Sequence, residues 1–244
     1  RDTSVTGVQT CALPISEGLQ SRFGEARVVD TPILEIGIVG AAAGAGHMGM
    51  RPVVEMQFID FVANAYDILT NYVATARYRA FLPCPMVVRG PSGGYVRGGP
   101  FHSQNPEAGF VHTPGLKVVY PATAEDAKGL MKSAIRDDDC VLFFEHKYLY
   151  RRIKGEMPHG DHTVPIGKAR LAREGRDVSI ITYAATVWKA LEAAEQLEAQ
   201  DGLSVEVLDL RTLAPLDDDA IFATVRKTNR VLVLHEDTRT GGIA

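Results

Sequence analysis

Two hydrophobic periods alternate along this chain. Short runs dense in β-branched and aromatic residues predict strands at residues 52–57 (PVVEMQ), 85–88 (PMVV), 116–120 (LKVVY), 140–145 (CVLFFE), 178–183, 203–208 and 230–235. Between them lie segments of helical spacing. Phe61, Ala65, Ile68, Leu69, Tyr72 and Val73 mark one within residues 60–78. Others are expected at 35–49, from 123 to about 136, at 186–200 and at 217–227. Thr123-Ala-Glu-Asp126 supplies an N-cap and acids in the first turn of the third of these. Strands alternating with helices of this length imply parallel sheets built from βαβ units. The expected fold is α/β, with two three-layer parallel-sheet domains: residues 17–155 and 171–244, the second incomplete. The linker, 156–170, falls in a polar, proline-bearing stretch (148–167) that reads as a connection with a small hairpin.

Two segments interrupt this rhythm. Residues 89–99 (RGPSGGYVRGG) form a glycine-rich loop too long for a turn, the kind that more often carries function. The first sixteen residues, RDTSVTGVQTCALPIS, have neither a secondary-structure period nor the apolar stretch of a signal peptide. Residues 5–15 resemble the translation of a sequencing-library adapter, so the native chain is expected to begin near Glu17. The stop at Gly241-Gly-Ile-Ala244, where a helix should follow a strand, is read as a second truncation. A fragment cut at both ends should expose apolar surface and be poorly soluble.

Composition narrows the class. The chain has 244 residues and is 45% apolar, enough for a sizeable core. A net charge of −4 gives no sign of a nucleic-acid or anionic-membrane partner. No apolar run approaches the roughly 20 residues of a membrane span. Three scattered cysteines form no C-x-x-C pair, which argues against a zinc site or a disulfide framework. A cytoplasmic location is the expectation.

The chemistry is sharpest at Glu35, the only charged side chain from Ile33 to Gly46. A carboxylate among small apolar residues is expected to be removed from water, which is costly unless it is paired or used. Phe61, in the run ending Gln57-Phe-Ile-Asp-Phe61, and His102, just past the glycine-rich loop, are the other candidates. The plainer readings are a helix N-terminal carboxylate for Glu35, a core aromatic for Phe61 and a backbone-bonded loop histidine for His102. No G-x-G-x-x-G after a strand, P-loop or Gly-Asp-Gly motif is present.

Seven blocks occur in one order: Glu35-x-Gly-Ile-Val-Gly, Arg51-Pro-x-x-Glu-x-Gln-Phe-x-Asp60, Arg77-Tyr-Arg79, His102-Ser-Gln-x-Pro-Glu107, Pro114-Gly-Leu-Lys-Val-Val119, Asp126-Ala-Lys-Gly129 and Asp209-Leu-Arg-Thr-Leu213. Together they resemble the beta subunit of the thiamine-diphosphate-dependent 2-oxo acid dehydrogenase component, of branched-chain or pyruvate type. Transketolase and deoxyxylulose-phosphate synthase are wider relatives. The resemblance implies a transketolase-like pyrimidine-binding domain followed by a transketolase C-terminal-like domain. It implies that Glu35 hydrogen-bonds the thiamine aminopyrimidine, that Phe61 stacks on that ring, that Ile33 lines the pocket through its backbone, and that His102 orients substrate or moves protons. It further implies that an alpha subunit holds the diphosphate and magnesium in an alpha2-beta2 heterotetramer. The acyl product would then pass to a lipoyl-bearing acyltransferase. A turn through Ala134, Asp137 and Asp139 would hold a structural potassium ion, although Asp137–Asp139 also reads as a solvated helix end.

The expected activity is oxidative decarboxylation of a small branched-chain 2-oxo acid, with a beta chain inactive alone. A pyruvate or acetoin enzyme and a non-catalytic assembly subunit remain as alternatives.

Overall fold

The computed structural model describes residues 16–95 and 97–244, so the reading of residues 1–16 as foreign sequence lies, but for Ser16, outside the described residues. Seven α-helices are described: α1 (Leu19–Phe23), α2 (Glu35–His47), α3 (Ala76–Ala80), α4 (Glu107–Val111), α5 (Ala124–Arg136), α6 (Ala185–Asp201) and α7 (Asp218–Thr228). The strands are β1 (Val53–Glu55), β2 (Val87–Ser92), β3 (Lys117–Val119), β4 (Val141–His146), β5 (Arg170–Arg173), β6 (Val178–Thr182), β7 (Val205–Asp209), β8 (Thr212–Ala214) and β9 (Val231–Val233).

They form two sheets, ordered β1-β2-β4-β3-β8 and β5-β7-β6-β9. The interior pairings are parallel, but β3–β8 and β5–β7 are antiparallel. The sheets are therefore mostly parallel rather than wholly so. Only Leu210 and Arg211 separate β7 from β8. That is too short for the crossover a parallel neighbour needs, and β8 instead joins the edge of the other sheet. Three residues carry no period, which is why β8 escapes a pattern reading.

Alternation along the strands builds the layers. Met86, Val88, Val118, Leu142 and Phe144 pack with Val39, Ala42 and Ala43 of α2. Val87, Val119, Val141 and Phe143 face the other way, onto Leu130 and Ala134 of α5. Ile180, Val205 and Val207 meet Ala190 and Ala194 of α6. Ile181, Leu208, Leu210 and Leu213 from the second half join the α2-side core, so one apolar cluster crosses the division.

Three sequence expectations change. The glycine-rich loop begins later than predicted, because Arg89–Ser92 continue β2 as buried strand paired with β4. The helix expected across residues 60–78 divides into a 3₁₀ turn (Ile59–Ala65), a π-helical turn (Ile68–Val73) and α3. Thr70 and Thr75 donate to the carbonyls of Tyr66 and Asn71, competing with the helical ladder there. No hairpin forms between β4 and β5. Side chains of α5 take that segment's carbonyls instead: Ser133 donates to Val164 at 2.6 Å, and Lys128 to Pro158.

Candidate functional site

Glu35 opens α2. The small residues of this helix allow close approach: a Cβ on Gly46 would stand 3.1 Å from the Pro85 carbonyl oxygen. Burial, however, is concentrated at Val39, Ala42, Ala43 and Gly46, leaving the first turn at the surface. Glu35 is half-buried within this chain, not withdrawn from water as the sequence suggested. Its Oε2 accepts one hydrogen bond, 3.2 Å from the Asn64 amide.

Asn64 lies on the 3₁₀ turn, three residues after Phe61. Side chains three apart on such a turn share a face. Phe61 is half-buried and stands outside the apolar clusters, which sets aside the reading of it as a core aromatic. Its ring meets the His102 ring edge-on, centroids 5.7 Å apart, and the buried Phe58 does so at 4.3 Å. One turn of chain thus joins Glu35 on one side to His102 on the other.

His102 ends a short 3₁₀ turn (Pro100–His102). Its Nδ1 lies 3.1 Å from the Gly98 carbonyl. A carbonyl only accepts, so Nδ1 carries the proton, and Nε2 of the neutral ring is left with a free lone pair. The backbone bond foreseen as the bland alternative is thus present, and it fixes the ring's tautomer. Lys147 donates to the His102 carbonyl at 2.8 Å and lies 5.2 Å from the Phe58 ring centroid. Burial lowers the Lys147 pKa. Asp60 accepts from the Gln104 backbone N–H at 2.9 Å, which steadies the loop beyond His102.

Ile33, two residues ahead of the helix, is 75% exposed. Leu34, Ile36, Tyr66 and Phe101 are also exposed near the site. Glu35, Phe61 and His102 therefore gather on one open, partly apolar surface, and Ile33 stands at its margin.

Ala134, Asp137 and Asp139 come together at the end of α5, and two of their backbone carbonyls accept hydrogen bonds. The Asp137 carbonyl accepts from Arg51 at 2.6 Å, and the Ala134 carbonyl from the Asp137 N–H. Lys117, Arg51 and Arg77 pair with Asp137, Asp138 and Asp139 respectively. These pairs engage side-chain carboxylates, whereas the potassium reading calls on the backbone carbonyls of the turn. The turn is not a merely solvated helix end, because each acid is paired.

Sequence reasoning missed Asn64 and Lys147, which act through contacts across the fold. Phe58 and Asp60 were visible within the second block of the resemblance. His146 is buried and contacts Glu236 of the second half at 2.8 Å. Beside it Glu107 is 1% exposed, with Oε1 bonded by Tyr183 at 2.9 Å and Oε2 without a partner. Burial raises the Glu107 pKa to about 7.

Residues 9–152 match the family model "Transketolase, pyrimidine binding domain", and residues 167–244 match "Transketolase, C-terminal domain". The chain is 53% identical over 228 residues to the 2-oxoisovalerate dehydrogenase subunit beta of Bacillus subtilis (strain 168), covering 93% of this chain and 69% of that protein. It is 48% identical over 240 residues to the pyruvate dehydrogenase E1 component subunit beta of the same organism, covering 98% and 74%. The corresponding subunit of Staphylococcus aureus (strain COL) is 46% identical, covering 97% and 73%. Among solved structures, a split-gene transketolase described as an inactive beta4 tetramer superposes with a TM-score of 0.76 at 24% identity, over 94% of this chain and 73% of that one. At that identity the likeness concerns the fold.

Proposed function

The chain belongs to the transketolase-like family of 2-oxo acid dehydrogenase E1 beta subunits, and on that premise we propose that Glu35, Phe61 and His102 form one half of a thiamine diphosphate site completed by an alpha subunit. The carrying observation is the 3₁₀ turn that joins Glu35, through Asn64, to His102, through Phe61. The residues suit the group: a carboxylate held by one amide, a half-exposed ring, and an imidazole with one free nitrogen. When bound, the cofactor supplies the electron sink that allows a 2-oxo acid to lose carbon dioxide.

Each side chain then has a task at a stated atom. The Glu35 carboxylate would share a proton with the ring nitrogen of a bound aminopyrimidine, with Asn64 holding its orientation. Once a partner chain covers the site, the lower dielectric strengthens that charge-assisted bond. Phe61 offers a ring face worth on the order of 1 kcal/mol. His102 presents Nε2 to the substrate, to orient its carboxylate or to move a proton. The exposed side chains of Ile33, Leu34, Ile36 and Phe101 support coverage by the alpha subunit, to which this reading assigns the diphosphate and magnesium. A lipoyl-bearing acyltransferase would receive the acyl group.

The higher identity to the 2-oxoisovalerate relative, 53% against 48%, favours a branched-chain substrate over pyruvate. The test is Glu35→Gln, assembled with an alpha subunit and assayed for decarboxylation of 3-methyl-2-oxobutanoate and of pyruvate. The turnover rate should fall by about 100-fold or more. Near-normal turnover would remove Glu35 from the chemistry. If calorimetry on the assembly detected no thiamine diphosphate binding, the chain would be a non-catalytic assembly subunit.

A further inference from the structure

His102 sits on a loop whose ends are drawn together. The Gly93 N–H donates to the Gln104 carbonyl at 2.9 Å, and Ser92 Oγ donates to the same oxygen at 3.1 Å. These two bonds form the neck of the loop. Val96, within it, lies outside the described residues.

The neck is gripped from the second half of the chain. Glu236, three residues beyond β9, accepts from the Gly94 N–H through Oε1 at 2.8 Å. Its Oε2 lies 2.8 Å from His146 Nε2. The Tyr148 N–H points to His146 Nδ1 at 3.2 Å, so Nδ1 accepts, and Nε2 carries the proton donated to Glu236. His146 is the register partner of Ser92, where β2 runs into the loop, and is followed by Lys147, which holds the His102 carbonyl. Gly93, at φ 80°, leaves no room for a side chain: a Cβ would stand 2.1 Å from His146 Nε2. Burial opposes the charge on Glu236. Bonds from His146, the Gly94 amide and Asn105 outweigh it and bring the pKa down to about 2.

We propose that Glu236 is a positioning residue for His102, clasping the neck of the Gly93–Asn105 loop from the second domain so that domain docking sets the histidine's place in the active site. The inference rests on the reading of His102 given above. Loss of the clasp leaves Lys147 and Asp60 still holding the loop, so His102 should drift rather than collapse. Small misplacement of a catalytic group lowers turnover far more than it weakens ground-state binding.

The experiment uses the full chain assembled with its alpha subunit. It compares wild type, Glu236→Ala, which removes both bonds, and Glu236→Gln, which keeps one acceptor oxygen. Hydrogen exchange across residues 93–105 should accelerate in Glu236→Ala and less in Glu236→Gln. The kcat on 3-methyl-2-oxobutanoate should fall roughly 10- to 100-fold in the first, with KM within about threefold. His146→Ala should produce the same pattern. The double variant should cost little more than either single one, since both break the same contact.

Unchanged exchange in a folded Glu236→Ala protein overturns the clasp. Faster exchange with unchanged kcat overturns its role in placing His102. If Glu236→Ala does not fold, the exchange and kcat of Glu236→Gln decide in the same way. Should the wild-type assembly decarboxylate neither 2-oxo acid, the functional reading fails, while exchange across the loop still decides whether the clasp exists.

Discussion

Glu107 shows how far environment moves a single residue. It is buried beside Tyr183, with Glu236 and Asp237 near enough to oppose its charge, and its pKa stands at about 7 against 4.5 for the ordinary side chain. The folded state therefore holds the proton more tightly than the unfolded state. The stabilisation is fully present below pH 4.5 and is lost as pH rises through 7. A shift of this size corresponds to at most about 3 kcal/mol. Glu107→Gln should flatten the decline in stability between pH 5 and pH 8, measured by urea denaturation of both proteins at each pH. Parallel profiles would show that the carboxyl does not titrate there. Glu35 is the contrasting case: the pattern around it suggested deep burial, yet its own chain leaves it half-open.

At the scale of elements, local signals were faithful where they acted locally. Thr123 caps α5 as its sequence suggests, with Oγ1 accepting from the Asp126 N–H at 3.1 Å. Thr123→Ala should cost about 1 kcal/mol, seen as a lower thermal midpoint with the fold unchanged. A midpoint equal to wild type would mean that tertiary contacts alone hold that terminus. The stretch from Ile59 to Ala80 went the other way. Its apolar spacing is helical, but its threonine side chains reach back to carbonyls, and the chain passes through 3₁₀, π and α forms. That irregularity sets Phe61 and Asn64 on one face and so joins the two sides of the site.

For the whole molecule, the two halves are bound by more than a linker. Strand β8 belongs by sequence to the second half and by pairing to the first sheet. Arg211, just before it, donates to Asp126 of α5 at 2.9 Å and to the carbonyls of Lys168 and Ala169. Arg170 reaches both Asp126 and Asp209. Arg211→Ala leaves the buried Asp126 with Arg170 as its one cation, and should destabilise the protein by about 3 kcal/mol. Calorimetry should resolve the single transition into two as the halves uncouple. A single transition at an unshifted midpoint would show that β8 and the shared core suffice.

By itself the sequence determined the alternation of strands and helices, most of their positions, and the order of blocks that resembles one enzyme family. These depend on side-chain period, caps and residue type, all properties of neighbouring positions. Only the tertiary structure decided that Asn64 faces Glu35, that Lys147 and Glu236 hold the loop of His102, that β8 crosses to the other sheet, and that the acids after α5 are paired with cations. Each of these joins residues far apart in the chain, and no local period records which distant side chain will arrive beside which.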